Sequence, residues 1–155
     1  YDGFENATSL SITFPNYKMF YSIRTQDTSK NWAVLVIDAY SVLSKKCAFN
    51  YTNAANHLLG KIPIEERMTV DSFKKMFSEN NHYFTREQLK LSDNETTDPQ
   101  AEILLFEEIS YKSIKFVYFE SEDVYNEYKD FLNKFGILSC VNIGYFLPRR
   151  DYSCW

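Results

Sequence analysis

The sequence predicts a mixed α+β fold in one domain, and three observations predict it. Short runs alternate apolar and polar residues, as in Ser9 to Phe14 and from Gln100 to Phe106. Other stretches repeat apolar residues at helical spacing, as in Val70 to Phe77 and Val124 to Phe135. No repeat, low-complexity tract or linker divides the 155 residues, which suffice for one core and are short for two. The expectation is a single domain, 1–155, with short strands packed against helices.

The elements follow in order. Leu10, Ile12 and Phe14 share one face and Ser9, Ser11 and Thr13 the other, which marks a half-buried strand ended by Pro15. Asn16 is placed to cap a short helix with Met19, Phe20 and Ile23 on one stripe. Trp32 to Ile37 is a continuous apolar run, the pattern of a strand covered on both faces, and Asp38 then caps a helix through Leu43. From Cys47 to Gly60 the chain turns polar and small, and Gly60 suits the end of a brief helix. Thr69 starts a better helix, and Thr85 with Gln88 forms a capping box for another. Ser92 to Pro99 is a loop by composition and the natural place for a mobile element. Ile114 to Phe119 is a strand. Ser121 caps the longest helix, with Val124, Tyr128, Phe131, Leu132 and Phe135 as its inward stripe and Gly136 as its stop. Ser139 to Ile143 makes a last strand before an aromatic and basic tail, Tyr145 to Arg150.

Composition excludes several classes. Apolar residues make up 45% and charged residues 25%, an ordinary globular balance, whereas 17% aromatic residues, with 12 Tyr and 13 Phe, is unusual. Those rings serve a core first and stacking second. Cys47, Cys140 and Cys154 form no disulfide framework and no pair has metal-ligand spacing, so a reducing cytoplasm and no metal are expected. No apolar run approaches the roughly 18 residues of a membrane span. Gly occurs only at 3, 60, 136 and 144, which leaves no phosphate-cradling loop and excludes a kinase or Rossmann reading. His57 and His82 stand far apart, with no nucleophile motif near either. The net charge of -4 argues against a general grip on nucleic acid, so any such contact must be local.

The stretch around which the chain is organised runs from Thr96 to Phe106. A polar loop stopped by Pro99 leads into a strand with Glu102 at its mouth. Alternation puts Gln100, Glu102, Leu104 and Phe106 on one face, with Gln100 and Glu102 about 7 Å apart along the chain. A carboxylate aimed at an apolar face is either solvated at a frayed edge or held at a cleft where its charge is used. Both readings stand on pattern alone.

This string, together with Ser9 to Tyr21 upstream and Asn53-Ala54-Ala55 between, resembles the DarT family of DNA ADP-ribosyltransferase toxins, in spelling and in spacing, from Tyr1-Asp2-Gly3 to at least Phe119. The resemblance implies an ADP-ribosyltransferase-like fold that uses NAD as co-substrate. Departure of nicotinamide leaves an oxocarbenium-like ribose that one carboxylate can stabilise, and Glu102 is the candidate. Gln100 would face the acceptor and orient it through its amide. By the same resemblance, Ser9 and Ser11 stand on the strand that holds the nicotinamide end, and Met19 and Tyr21 wall the pocket. The acceptor in the family is a base of single-stranded DNA, thymine in one branch and guanine in the other, and an antitoxin ADP-ribosyl hydrolase reverses the modification. Ser9 to Tyr21 and Asp98 to Glu102 look closer to the guanine branch. Asn53, Asn56, Arg149 and Arg150 are candidates for contact with DNA. The pattern departs at the N-terminus. Family members carry a first NAD-contacting strand and a cofactor-contacting Arg before the block that opens here at Tyr1, and weak NAD binding by 1–155 alone is the expectation. The alternatives are a non-catalytic binding module of the same fold and an NAD glycohydrolase.

Overall fold

The structure is a computed structural model that describes residues 3–79 and 84–154; His82 and the Tyr1-Asp2 opening lie outside them. In chain order its regular elements are β1 (Thr8–Ser11), α1 (Tyr17–Gln26), β2 (Ala33–Ile37), α2 (Ala39–Leu43), β3 (Cys47–Asn50), α3 (Val70–Lys75), β4 (Glu102–Leu105), β5 (Ile114–Phe119), α4 (Glu122–Lys134) and β6 (Leu138–Val141). The expected α+β class is what is found. Among the described residues the strands form two three-stranded sheets, ordered β1-β4-β3 and β2-β5-β6. The chain divides into two compact units, each built from separated segments. Because the chain passes repeatedly from one unit to the other, no linker composition marks the division.

The first unit comprises 1–16, 43–108 and 149–155. Its sheet is antiparallel throughout, with β4 in the middle. Register aligns Ser11, Glu102 and Asn50 in one row across the strands and Ser9, Leu104 and Ala48 in the next row on the same face. Leu10, Ile103 and Phe49 point to the opposite face. There α3 packs, with the Phe73 ring edge-on to Phe49 at 5.2 Å. Thr69 caps α3 through a bond from the Ser72 N–H at 3.2 Å, as its sequence position requires. The front face rests on Ala48, Ala54 and Leu104, against which Phe4, Ala7, Ile64 and Met68 pack.

Three sequence expectations change in this unit. Strand β1 ends at Ser11 because Thr13 adopts a left-handed φ of 64°, in a tight turn closed by Phe14 N–H on Ile12 O at 2.6 Å. That conformation is strained for a β-branched residue. Cys47 to Asn50, read as the start of a polar connection, is strand β3. Its pairing partner lies more than fifty residues away, so no local pattern announced it. At Thr85 the capping box forms in both directions, Thr85 N–H to Gln88 at 2.8 Å and Gln88 N–H to Thr85 at 3.1 Å, yet only a single turn follows. Lys90, with a φ of 54°, ends it.

The second unit comprises 17–42 and 109–148. Strand β5 pairs antiparallel with β2 and parallel with β6, and α4 makes the crossover. Ser121 caps α4 through the Val124 N–H. Gly136, at a φ of 68°, ends it with the Ile137 N–H returning to Leu132 O at 3.1 Å, the hydrogen-bond pattern of a glycine-terminated helix. Val124, Tyr125 and Leu132 pack on Val117, Phe119 and Ile137. One helix covers little more than two strands. Consequently Leu35 on the edge strand β2 stays 51% exposed, contrary to the reading of Trp32 to Ile37 as covered on both faces. Phe131 and Phe135, expected inward, lie on the exposed flank of α4, where Phe135 meets Tyr111 edge-on at 5.6 Å.

Candidate active site

Glu102 is the first residue of the central strand β4 and lies on the front face of the first unit's sheet. Both carboxylate oxygens are engaged. The Ser9 hydroxyl donates to Oε2, and the Ala54 backbone N–H donates to Oε1 at 2.5 Å. Ser9 reaches Glu102 because it pairs with Leu104, two residues along, which makes it the diagonal neighbour on that face. Ala54 presents its N–H because Asn53 builds the turn around it. The Asn53 side chain accepts the Ala55 N–H at 2.9 Å and its backbone carbonyl accepts the Asn56 N–H at 2.9 Å. Charge-assisted bonds of this kind are short and directional, so the carboxylate is fixed in aim rather than solvated at a frayed strand end. Each oxygen keeps acceptor capacity for a further donor.

Behind this carboxylate stands a polar pair that the sequence did not announce. Asn50, fully buried, faces Glu102 across β3 and β4 and donates from Nδ2 to the Glu102 carbonyl at 3.3 Å. Arg67 is also buried. Its Nη1 donates to Asn50 Oδ1 at 2.9 Å, and its guanidinium lies over the Phe4 ring at 5.4 Å. Arg67 sits in the short turn Ile64–Arg67, where no periodicity distinguishes it from a surface residue. Asn50 ends a strand the sequence concealed. The one available hint was the apolar Cys47-Ala48-Phe49 run just before it.

The segment before Glu102 is a buried, clamped turn rather than the mobile element its composition suggests. Glu95, Thr96, Thr97 and Asp98 are all buried. Arg149 donates to the Thr96 carbonyl at 2.9 Å and the Thr97 carbonyl at 3.3 Å while holding Asp151 through two bonds of 2.6 Å. Arg86 holds the Glu95 carbonyl at 2.9 Å and the Thr97 hydroxyl at 2.8 Å. Thr13, strained as it is, donates its hydroxyl to the Asn94 carbonyl at 2.5 Å. Asp98 then closes the turn, its carboxylate accepting the Gln100 N–H at 2.7 Å and its carbonyl the Ala101 N–H at 3.1 Å. Burial pushes the Glu95 carboxyl up, but its bonds from Ser92 and the neighbouring Arg150 outweigh this and hold it below the ordinary range.

An open groove of about 400 Å³ lies elsewhere in this unit, lined by residues that include Cys47, Phe49 and Phe73, on the side of the sheet away from Glu102. No acidic residue lines it, and burial, with the nearby Glu107, pushes the Cys47 thiol up.

The three segments that converge on Glu102, around Ser9, Ala54 and the Asp98 turn, are the three blocks that carry the sequence resemblance. Residues 13–145 match the family model described as ssDNA thymidine ADP-ribosyltransferase, DarT. The chain belongs to the DarT family.

Solved DarT structures share its fold at low identity. A Thermus sp. 2.9 DarT in complex with carba-NAD+ superposes with a TM-score of 0.60 at 14% identity, over 92% of this chain and 74% of that one. The same organism's DarT in complex with ADP-ribosylated ssDNA gives 0.58 at 14% identity, over 92% and 69%. Thermosipho africanus DarTG in complex with ADP-ribose gives 0.57 at 15% identity, over 91% of this chain and 36% of that longer one. A comparison with curated protein sequences found no match.

Within this DarT chain, Glu102 and Ser9 come together, and Ser9 orients the carboxylate. Ser11 shares the Glu102 row, and its hydroxyl accepts the Asn16 N–H at 3.2 Å, which shapes the exit of β1. Gln100 precedes the strand instead of extending it, and its place is set by the Asp98 turn. Met19 and Tyr21 lie on α1 in the second unit, 46% and 61% exposed. Asn53 and Asn56 use their side-chain oxygens on the backbone N–H groups of Ala55 and Leu58. Arg149 is 4% exposed, so the DNA contact expected of it gives way to an internal role; its charge is taken up by Asp151. Arg150, about half exposed, holds Glu95 and the Lys90 carbonyl.

Proposed function

We propose that this DarT chain transfers ADP-ribose from NAD to a base of single-stranded DNA, with Glu102 as the catalytic residue. The observation that carries this reading is the doubly held carboxylate, fixed by Ser9 and Ala54 with acceptor capacity left over. In this reading Glu102 accepts a ribose hydroxyl of NAD while the bond from C1′ to the nicotinamide nitrogen breaks and its electron pair leaves with nicotinamide. The positive charge that develops on the ribose lies against the carboxylate, and a base nitrogen closes the new bond to C1′, losing a proton to Glu102 or solvent. Preorganised charge of this kind acts without reorganisation at the moment of reaction. Gln100, on the turn next to Glu102, orients the incoming base. Ser11 lies on the cofactor side, Asn53, Asn56 and Arg150 are retained as DNA contacts, and Met19 and Tyr21 are retained as cofactor contacts on the resemblance alone.

The finer assignments are part of the same proposal. The reaction is a pentosyl transfer, and the chain acts in the cytoplasm as a toxin countered by an antitoxin ADP-ribosyl hydrolase; its three free cysteines fit a reducing compartment. The family model's description names thymidine, while Ser9 to Tyr21 and Asp98 to Glu102 look closer to the guanine branch, and guanine is the base we propose.

Incubation of the full-length protein with NAD and a mixed-sequence oligonucleotide, followed by mass spectrometry of the DNA and its nucleosides, tests this directly. ADP-ribose on guanine is the expected product, and ADP-ribose on thymine would overturn the choice of base alone. Release of nicotinamide with unmodified DNA would assign NAD hydrolysis, and binding without turnover would assign a binding module; either would overturn the reading. Glu102→Gln should lower turnover by about 10²- to 10³-fold with the fold intact, and wild-type turnover in that variant would remove Glu102 from the mechanism.

A further inference from the structure

We propose that Arg67 is a positioning residue for the transfer reaction, acting on Glu102 through the Asn50 carboxamide; the proposal rests on the role given to Glu102 above. A primary amide offers an oxygen and an NH2 group of nearly the same shape, so its orientation must be imposed by its neighbours. A guanidinium can only donate. By placing Nη1 at 2.9 Å from Oδ1, Arg67 imposes the orientation in which Asn50 Nδ2 faces the Glu102 carbonyl at 3.3 Å. Burial makes this choice strict, because Asn50 is 0% and Arg67 4% exposed.

The consequence falls on the catalytic carboxylate because of where Glu102 sits. It is the first residue of β4, directly after the turn closed at Ala101, and a strand end of this kind frays unless its backbone is held. Asn50 holds that backbone from β3, while Ser9 and Ala54 hold the side chain, so the carboxylate is fixed from both ends. Packing alone does not call for Asn50 and Arg67, since apolar residues of similar volume would fill the space at lower electrostatic cost. The Phe4 ring, 5.4 Å from the guanidinium carbon, adds a cation–π contact that helps hold Arg67 beside Asn50.

Steady-state transfer to an oligonucleotide, with kcat and KM for NAD measured per folded molecule, tests this on four variants. Arg67→Met keeps the length and apolar packing but has no donor, and should lower kcat by about 10- to 100-fold with KM for NAD unchanged. Arg67→Lys restores a donor toward Oδ1 and should recover most of the loss. Asn50→Asp keeps shape and acceptor but cannot donate to the Glu102 carbonyl, so it should match Arg67→Met; should Arg67→Met fail to fold, Asn50→Asp decides. Wild-type kcat in either variant, equal losses in Met and Lys, or a loss confined to KM would overturn the positioning role. Glu102→Gln runs alongside. If it is inactive while Arg67→Met is fully active, only the positioning role falls; if it retains activity, the site reading falls and takes this proposal with it.

Discussion

Arg149→Met should unfasten the turn that delivers Glu102, and the cost can be worked from the contacts. The wild-type guanidinium holds both oxygens of Asp151 at 2.6 Å and the carbonyls of Thr96 and Thr97 at 2.9 and 3.3 Å. The two side chains of the ion pair are 3% and 1% exposed. Met fills much of the volume but removes the guanidinium that pairs with the buried Asp151 carboxylate. Breaking such a buried pair costs about 3–5 kcal/mol, and the two orphaned carbonyls add to this incompletely because all three acceptors shared one group. A loss of about 4 kcal/mol is expected, which for a chain of this size lowers the midpoint by roughly 8–16 °C. Thermal and urea denaturation followed by circular dichroism at neutral pH give the number. The double variant Arg149→Met with Asp151→Leu removes the other half of the ion pair as well and should recover more than half of the loss. A single-variant cost below about 1 kcal/mol, or a double variant less stable than the single, would refute the clamp.

Two further outcomes follow from the same neighbourhood. Gln100→Ala should impair transfer to DNA more than hydrolysis of NAD, because Gln100 is assigned to the acceptor; equal losses in the two reactions would remove that assignment. Burial raises the Glu95 carboxyl, but the Ser92 bonds and Arg150 bring it below the ordinary value of 4.5. A carboxyl depressed in the folded state stabilises above its unfolded pKa and loses that contribution as pH falls through the folded one. Thermal midpoints of the wild type should therefore fall more steeply than those of Glu95→Gln below about pH 4.5, and parallel curves would show that the Glu95 charge does not hold the turn.

Local chemistry was legible wherever a residue acts on its immediate neighbours. The Thr69 and Ser121 caps, the Thr85 and Gln88 box, and the Gly136 stop all stand at the positions their spacing indicates. The place of Glu102 at the mouth of β4 was legible from alternation, while its candidate role came from the resemblance. Nonlocal features were hidden. β3 is four residues long and has meaning only against β4, and Arg67 and Arg149 look in sequence like any surface arginine. The polarity of Ser92 to Pro99 was read as exposure, yet its carbonyls and a hydroxyl are the acceptors that two guanidinium groups require, that of the buried Arg149 and that of the partly buried Arg86. Polar composition reports only that hydrogen-bond partners are needed, and either water or arginine can supply them.

The site's dependence on register explains why so much of the first unit is spent on one turn. Glu102 takes one partner 93 residues before it and another 48 residues before it; Ser9 is placed by the pairing of β1 with β4, and Ala54 by the Asn53 turn that follows β3. Glu102 itself is aimed by the pairing of β4 with β1 and β3, strands of four residues in which a slip of one position would send it to the opposite face, toward Phe49 and Phe73. Strands so short define register weakly by themselves. The Asp98 turn fixes where β4 begins, and Arg149 and Arg86 fix the Asp98 turn, so these two arginines convert the stability of a loop into the aim of a carboxylate. The strained Thr13 fits this arrangement: its left-handed backbone ends β1 soon after Ser11, and its hydroxyl bond to Asn94 ties that end to the same clamped loop.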